Sequence, residues 1–125
     1  MPRPDPEVDR LIAETAGRLK VSRRPIERQE IIERLIFPMI NEGARILEEG
    51  IAARPGDIDV IWIYGYGWPV WRGGPMFYAD HLGLQYIRDQ LTLYAGRSGD
   101  ARLKPAPLLM RLAEGGSFGA MPRRG

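Results

Sequence analysis

Few side chains in this sequence could carry out acid–base or nucleophilic chemistry, and they do not gather. His81 is the single histidine and there are 0 cysteines. A zinc site or a histidine-activated nucleophile needs a second ligand or an oriented partner, and the sequence around His81 offers none. Asp80 and His81 form an acid–base pair by residue type, but adjacent residues on a helix point apart. Ser22, Ser98 and Ser117 all lack the strand–turn–helix setting of a nucleophile elbow. Asp57 and Asp59 read as first-turn helix acids, placed where the helix dipole favours them. The lack of cysteine also excludes disulfides, thiolate metal sites and iron–sulfur clusters, and fits a reducing compartment. The sequence therefore predicts no catalytic, cofactor-binding or metal-ligating residue in the chain itself.

Two glycine-rich stretches come nearest to a ligand site. Gly65-Tyr66-Gly67-Trp68-Pro69-Val70 begins like a dinucleotide fingerprint. It then places Val70 at the third glycine position and Pro69 where a backbone donor is needed, with no strand–helix–strand unit around it. Arg72-Gly73-Gly74 could cradle an anion through its N–H groups, although such glycines more often serve a tight turn. Aromatic residues crowd the same region, and all 3 tryptophans fall between Trp62 and Trp71. Such rings either plug a core or form an interface, since each can bury roughly 150–250 Å².

The elements that must position these residues read as helices throughout. Residues 1–6 form a linker arm, with Asp5 as a possible N-cap and Pro6 as first helical residue. A helix follows to about Lys20, with Val8, Leu11, Ile12, Ala16 and Leu19 on one face. The strongest pattern runs from Ile26, just after Pro25, to Glu49. There Ile32, Leu35, Ile36, Met39, Ile40, Gly43, Ala44 and Leu47 recur at spacings of three and four, and Gly50 fits the residue just past the end. Pro38 lies inside this helix and predicts a kink, and the small pair Gly43-Ala44 allows close helix approach. Val60–Tyr64 has strand propensity, yet Pro55-Gly56-Asp57 starts a helix and a lone strand would have no partner. A short helix ending at Gly65 is the better reading. Further helices are expected over 76–81, 84–94 and 107–113, with a loop at 96–100 and a loose tail over 117–125.

Composition adds the outer limits. A hydrophobic share of 44%, a charged share of 27% and a net charge of +2 suit a single globular domain. Arginines are scattered among acids, which argues against a nucleic-acid partner. No apolar run approaches the ~20 residues of a membrane span, so no membrane partner is expected. The opening residues carry no apolar signal region, the last residues are not a Ser-Lys-Leu address, and cytoplasm is the default location.

Read in order, Ile32-Glu33-Arg34-Leu35-Ile36-Phe37-Pro38-Met39-Ile40-Asn41-Glu42-Gly43-Ala44-Arg45 strongly resembles the C-terminal helical domain of 3-hydroxyacyl-CoA dehydrogenases. Asp57-Ile58-Asp59, Gly65-Tyr66-Gly67-Trp68-Pro69, Arg72-Gly73-Gly74-Pro75-Met76 and Ala79-Asp80 continue the likeness, which spans 4–116. The nearest pattern is the second copy of that domain in multifunctional fatty-acid β-oxidation enzymes. The resemblance implies an all-α, multi-helix domain (7–116) built on one long Pro-kinked helix, like the C-terminal domain of 6-phosphogluconate dehydrogenase. It implies that NAD and the catalytic His–Glu pair belong to other domains of a parent enzyme, with an enoyl-CoA hydratase further upstream. The first copy supplies an active-site asparagine; Glu33 stands at the matching position here, which implies a packing rather than a catalytic role. Pro38, Asn41, Glu42, Gly43, Gly65, Gly67, Pro69, Arg72, Gly73, Gly74, Pro75 and Asp80 are then structural or docking candidates. The implied partners are the upstream domains of the parent, with a homodimer possible for the isolated chain, and Met1 would mark a fragment boundary. Two other readings remain: a stand-alone helical interaction or dimerisation protein, and a small acyl-CoA-binding module with Arg72 at its mouth.

Overall fold

The computed structural model describes residues 3–122, and among these the chain forms six α-helices and two 3-10 turns with no strand. The helices are α1 (Pro6–Arg18), α2 (Arg28–Glu48), α3 (Pro55–Gly65), α4 (Pro75–Leu82), α5 (Leu84–Ser98) and α6 (Pro107–Leu112). The 3-10 turns are Val70–Arg72 and Ala101–Leu103. The all-helical expectation therefore holds.

Several ends follow the chemistry read from sequence. The Asp5 carboxylate accepts from the Glu7 N–H at 2.9 Å, with Pro6 first in α1. Gly50, at φ 74°, turns the chain out of α2. There the Ile51 N–H reaches the Ile46 carbonyl at 3.0 Å and the Gly50 N–H reaches that of Leu47 at 3.2 Å. This paired closure satisfies the last carbonyls of the helix. Pro55 opens α3, which is a helix to Gly65 despite its strand-like composition.

Other boundaries shift. Pro25 and Ile26 lie outside the helix, and α2 starts at Arg28, with Glu27 at the N-cap position but without a side-chain capping bond. It then runs as one helix past Pro38 to Glu48. Helix α5 continues through the expected loop at 96–98 and stops at Gly99, whose φ is 69°.

The core forms where α2 meets α3 to α6. Phe37, Ile40, Ala44 and Leu47 face Ile58, Met76, Ala79, Ile87, Leu91 and Leu109. Only the second half of α2 follows the inward set drawn from spacing: Ile32 and Leu35 are exposed, while Phe37 is buried. Helix α1 is amphipathic and buries none of its residues. The tail expected to be loose is anchored through Phe118, which is fully buried in the core. Residues 123–125 of that expected tail lie outside the described residues.

Candidate functional site

The polar residues of the motif region are locks between segments. Asn41 lies on the core face of α2 and is fully buried. Its Nδ2 donates to the Lys104 carbonyl at 2.9 Å, and its Oδ1 accepts from the Ala106 N–H at 2.7 Å. One side chain thereby fixes the strap that leads into α6. Two residues along, Gly43 lets α4 approach: an added Cβ would lie 2.6 Å from the Met76 sulfur.

A second lock joins α3 to α4. Asp59 points away from its own helix end and accepts from the Met76 N–H at 2.7 Å and the Phe77 N–H at 3.2 Å. It thus caps α4, whose own N-cap residue is Gly74 and brings no side chain. Gly74 must be glycine here, because its φ is 91° and a Cβ would sit 2.4 Å from the Asp59 Cβ. Pro75 follows as first residue of α4, where its missing N–H costs nothing. Burial pushes the Asp59 carboxyl above its ordinary range, and the two backbone donors only partly offset this. The first-turn reading of Asp59 is therefore corrected, whereas Asp57 does sit in the first turn, paired with Arg54 at 2.7 Å.

Asp80 makes the third lock, accepting from the Phe118 N–H at 2.8 Å and the Gly119 N–H at 2.7 Å. It is not engaged with His81 in an acid–base pair; its carboxylate ties down the C-terminal segment.

Glu33 is buried beside α5. Its carboxylate accepts from the Tyr86 hydroxyl, from the Tyr94 hydroxyl at 2.5 Å, and from Gln29 Nε2 at 3.0 Å. Burial works to raise its pKa, but the three donors outweigh that and hold it below the ordinary range. Both phenols are in turn pushed up. All three donors are side chains of this chain, so the carboxylate is spent on joining α2 to α5. Tyr86 and Tyr94 lie two turns apart on the face of α5 that also carries Ile87 and Leu91, which is the one sequence signal that could have found the cluster.

The remaining candidates lie outward. Glu42 is exposed and pairs with Arg45 at 3.1 Å, while Pro38 is half-buried. Gly65, the last residue of α3, and Gly67 and Pro69 in the loop after it are exposed. The Arg72 N–H is taken by the Pro69 carbonyl and the Gly73 N–H by that of Val70, at 2.9 and 3.0 Å. These bonds close a turn and do not form an anion cradle. The Arg72 guanidinium stacks over Trp71, 4.3 Å from the ring centroid. The aromatic cluster divides: Trp68 is buried, Trp62 and Tyr78 are half-buried, and Tyr64, Trp71 and Phe77 are 85%, 77% and 62% exposed. Val60 and Val70 are exposed as well, so α3, the turn after it and α4 each carry exposed apolar side chains.

These residues do not fit NAD. The Tyr66 and Trp68 N–H groups both turn back to the Trp62 carbonyl, at 3.2 and 3.0 Å. The loop closes a helix here, and no helix begins at it to receive a pyrophosphate. Among the described residues, no group of three or more His, Asp or Glu is placed to hold a metal, and no helix is long and apolar enough to cross a membrane.

Residues 31–125 match the family described as 3-hydroxyacyl-CoA dehydrogenase, C-terminal domain. The chain belongs to that family. It is 46% identical over 116 residues to the peroxisomal bifunctional enzyme of Danio rerio and 40% identical over 116 residues to that of Homo sapiens. Each match covers 92% of this chain and 16% of the relative. A peroxisomal fatty acid β-oxidation multifunctional protein of Arabidopsis thaliana is 37% identical over 123 residues, 95% of this chain and 16% of the relative. The chain thus spans about a sixth of the length of these relatives. Their names correct the expected cytoplasmic location: the similar proteins are peroxisomal or glyoxysomal enzymes.

Proposed function

We propose that this chain is the second, non-catalytic helical copy of a peroxisomal-type multifunctional fatty-acid β-oxidation enzyme. In this reading the parent oxidises 3-hydroxyacyl-CoA with NAD, and domains other than this one bind the cofactor and supply the acid–base pair. The observation that carries the reading is Glu33. The position matching the active-site asparagine of the first copy holds a carboxylate that two tyrosines and a glutamine keep occupied. Asn41, Asp59 and Asp80 are likewise spent on holding segments together. What the domain offers outward is the apolar face of Tyr64, Trp71 and Phe77, of the residue types that dominate interface energetics. That face docks on the upstream domains of the parent and stabilises them. The isolated chain, lacking them, associates with a second copy.

The test is an assay of NAD reduction with a 3-hydroxyacyl-CoA, run on the 125-residue chain and on the full-length gene product. The full-length protein should turn over and the chain alone should not. Oxidation by the chain alone refutes the reading.

A further inference from the structure

The bonds that hold helix α1 are all local. At its start the Asp5 carboxylate accepts from the Glu7 N–H at 2.9 Å, and the Asp5 carbonyl accepts from the Asp9 N–H at 3.1 Å. At its end the Val21 N–H reaches back to the Ala16 carbonyl at 2.9 Å, and the Lys20 N–H to that of Gly17 at 3.1 Å. This paired stop favours glycine at its left-handed position. Lys20 stands there instead, at φ 54°, so the stop itself is strained. On the flank Arg10 and Glu14 pair at 3.6 Å, both exposed. Each of these contacts begins and ends within residues 5–21. The body of the domain takes hold only at Arg24, which donates to the Pro25 carbonyl at 3.1 Å and to Glu30 at 2.9 Å. Ser22 and Arg23 lie between the two bonded stretches, exposed and outside any helix.

Packing adds nothing to these local bonds. No residue of α1 is buried, and none joins the core or packs against it. Its apolar residues Val8, Leu11, Ile12 and Leu19 are all exposed. A helix of 13 residues without tertiary cover is marginal in water, because its first turn orders several residues for a single bond. Gly17 weakens it further. A Cβ there would meet nothing within 4 Å, so no close approach requires the glycine, in contrast to Gly43 against Met76. We infer that residues 5–21 are a folding unit of their own, hinged at Ser22 and Arg23, and that α1 exchanges between helix and coil while the body from α2 onward stays folded. The arm is thereby an order–disorder element: covering its apolar stripe fixes the helix and asks no rearrangement of the core.

The test is native-state hydrogen exchange on the full chain at low micromolar concentration. Amides of α1 past its first turn should be protected less than about tenfold, and those of Ile87 and Leu91 in α5 at least about 100-fold more strongly than these. Gly17→Ala should raise protection in α1 by about fivefold through helix propensity alone and leave α5 unchanged. Leu11→Asp places a charge on a face that touches nothing in the body, so the urea midpoint of the chain should stay within about 0.3 M of the wild type. Protection of α1 equal to that of α5 overturns the inference. So does a rise in both helices together with Gly17→Ala, or a larger fall of the midpoint with Leu11→Asp, since each would make α1 part of the cooperative core.

Discussion

Replacing Asn41 with alanine removes the acceptor of the Ala106 N–H and one donor to the Lys104 carbonyl. The two losses are unequal. Arg45 also donates to the Lys104 carbonyl at 3.0 Å and to that of Arg102 at 3.2 Å, so those oxygens keep a partner. The buried Ala106 N–H keeps none in its place, which costs about 1–3 kcal/mol. Deleting the amide also leaves a small void, adding about 1 kcal/mol. Asn41→Ala should therefore lower stability by about 2–4 kcal/mol. With a urea dependence of about 2 kcal/mol per molar, the midpoint should fall by roughly 1–2 M with an unchanged slope. Asn41→Asp sharpens the test. It retains the acceptor for Ala106 but turns a carboxylate towards the Lys104 carbonyl, so its folded pKa should rise. It should then be at least as destabilising as alanine at pH 7 and recover part of the loss on acidification, when the protonated acid can donate as the amide did. A loss below 1 kcal/mol for Asn41→Ala, or no pH dependence for Asn41→Asp, would refute the assignment of this side chain as the lock on α6.

Three further substitutions address the other locks. Gly74→Ala forces a positive φ on alanine and drives its Cβ into Asp59; the variant should lose at least about 3 kcal/mol in thermal or urea unfolding, or fail to accumulate as soluble protein. Tyr94→Phe removes one of three donors holding the Glu33 carboxyl below the ordinary 4.5. A lowered folded pKa gives stability that is present above 4.5 and lost as pH falls through the folded value. The variant should thus be less stable than the wild type near neutral pH but lose less further stability as pH falls below 4.5, so that the two titrations converge in acid, whereas an unchanged acid limb would exclude Glu33 from acid unfolding. Asp80→Ala leaves the Phe118 and Gly119 N–H groups without their acceptor, and hydrogen exchange at these two amides should accelerate by at least about tenfold while Ile87 and Leu91 keep their protection.

Local chemistry was legible in the sequence wherever a single segment decided the outcome. The Asp5-Pro6 start, the Gly50 stop and the helical state of Val60–Tyr64 each follow from residues within one turn of the event. What the sequence did not show depends on distant partners. Asp59 looks like any first-turn acid until α4 is set beside it, seventeen positions along the chain. Asp80 could be paired with the tail only once Phe118 is known to fill the core. The periodicity of α2 predicted that Ile32 and Leu35 would face inward. The helix does carry an apolar stripe along its whole length, but in its first half the body of the domain covers Glu33 and leaves Ile32 and Leu35 exposed.

That uncovered stripe and the occupied locks have one physical cause. A chain of this size has a limited number of buried polar positions, and here Glu33, Asn41 and Asp59 are each saturated by hydrogen bonds within the fold. A saturated carboxylate cannot also take a proton from a substrate without breaking the helix contact it maintains. Apolar surface is under no such constraint, and it remains open on α1, on the first half of α2 and on the aromatic face. The three buried polar side chains are therefore engaged within the fold, while apolar surface stays open outside it. Restoring asparagine at position 33 alone would accordingly not create activity. It would leave Tyr86 and Tyr94 without their carboxylate, and its measurable consequence is lost stability in the same urea titration.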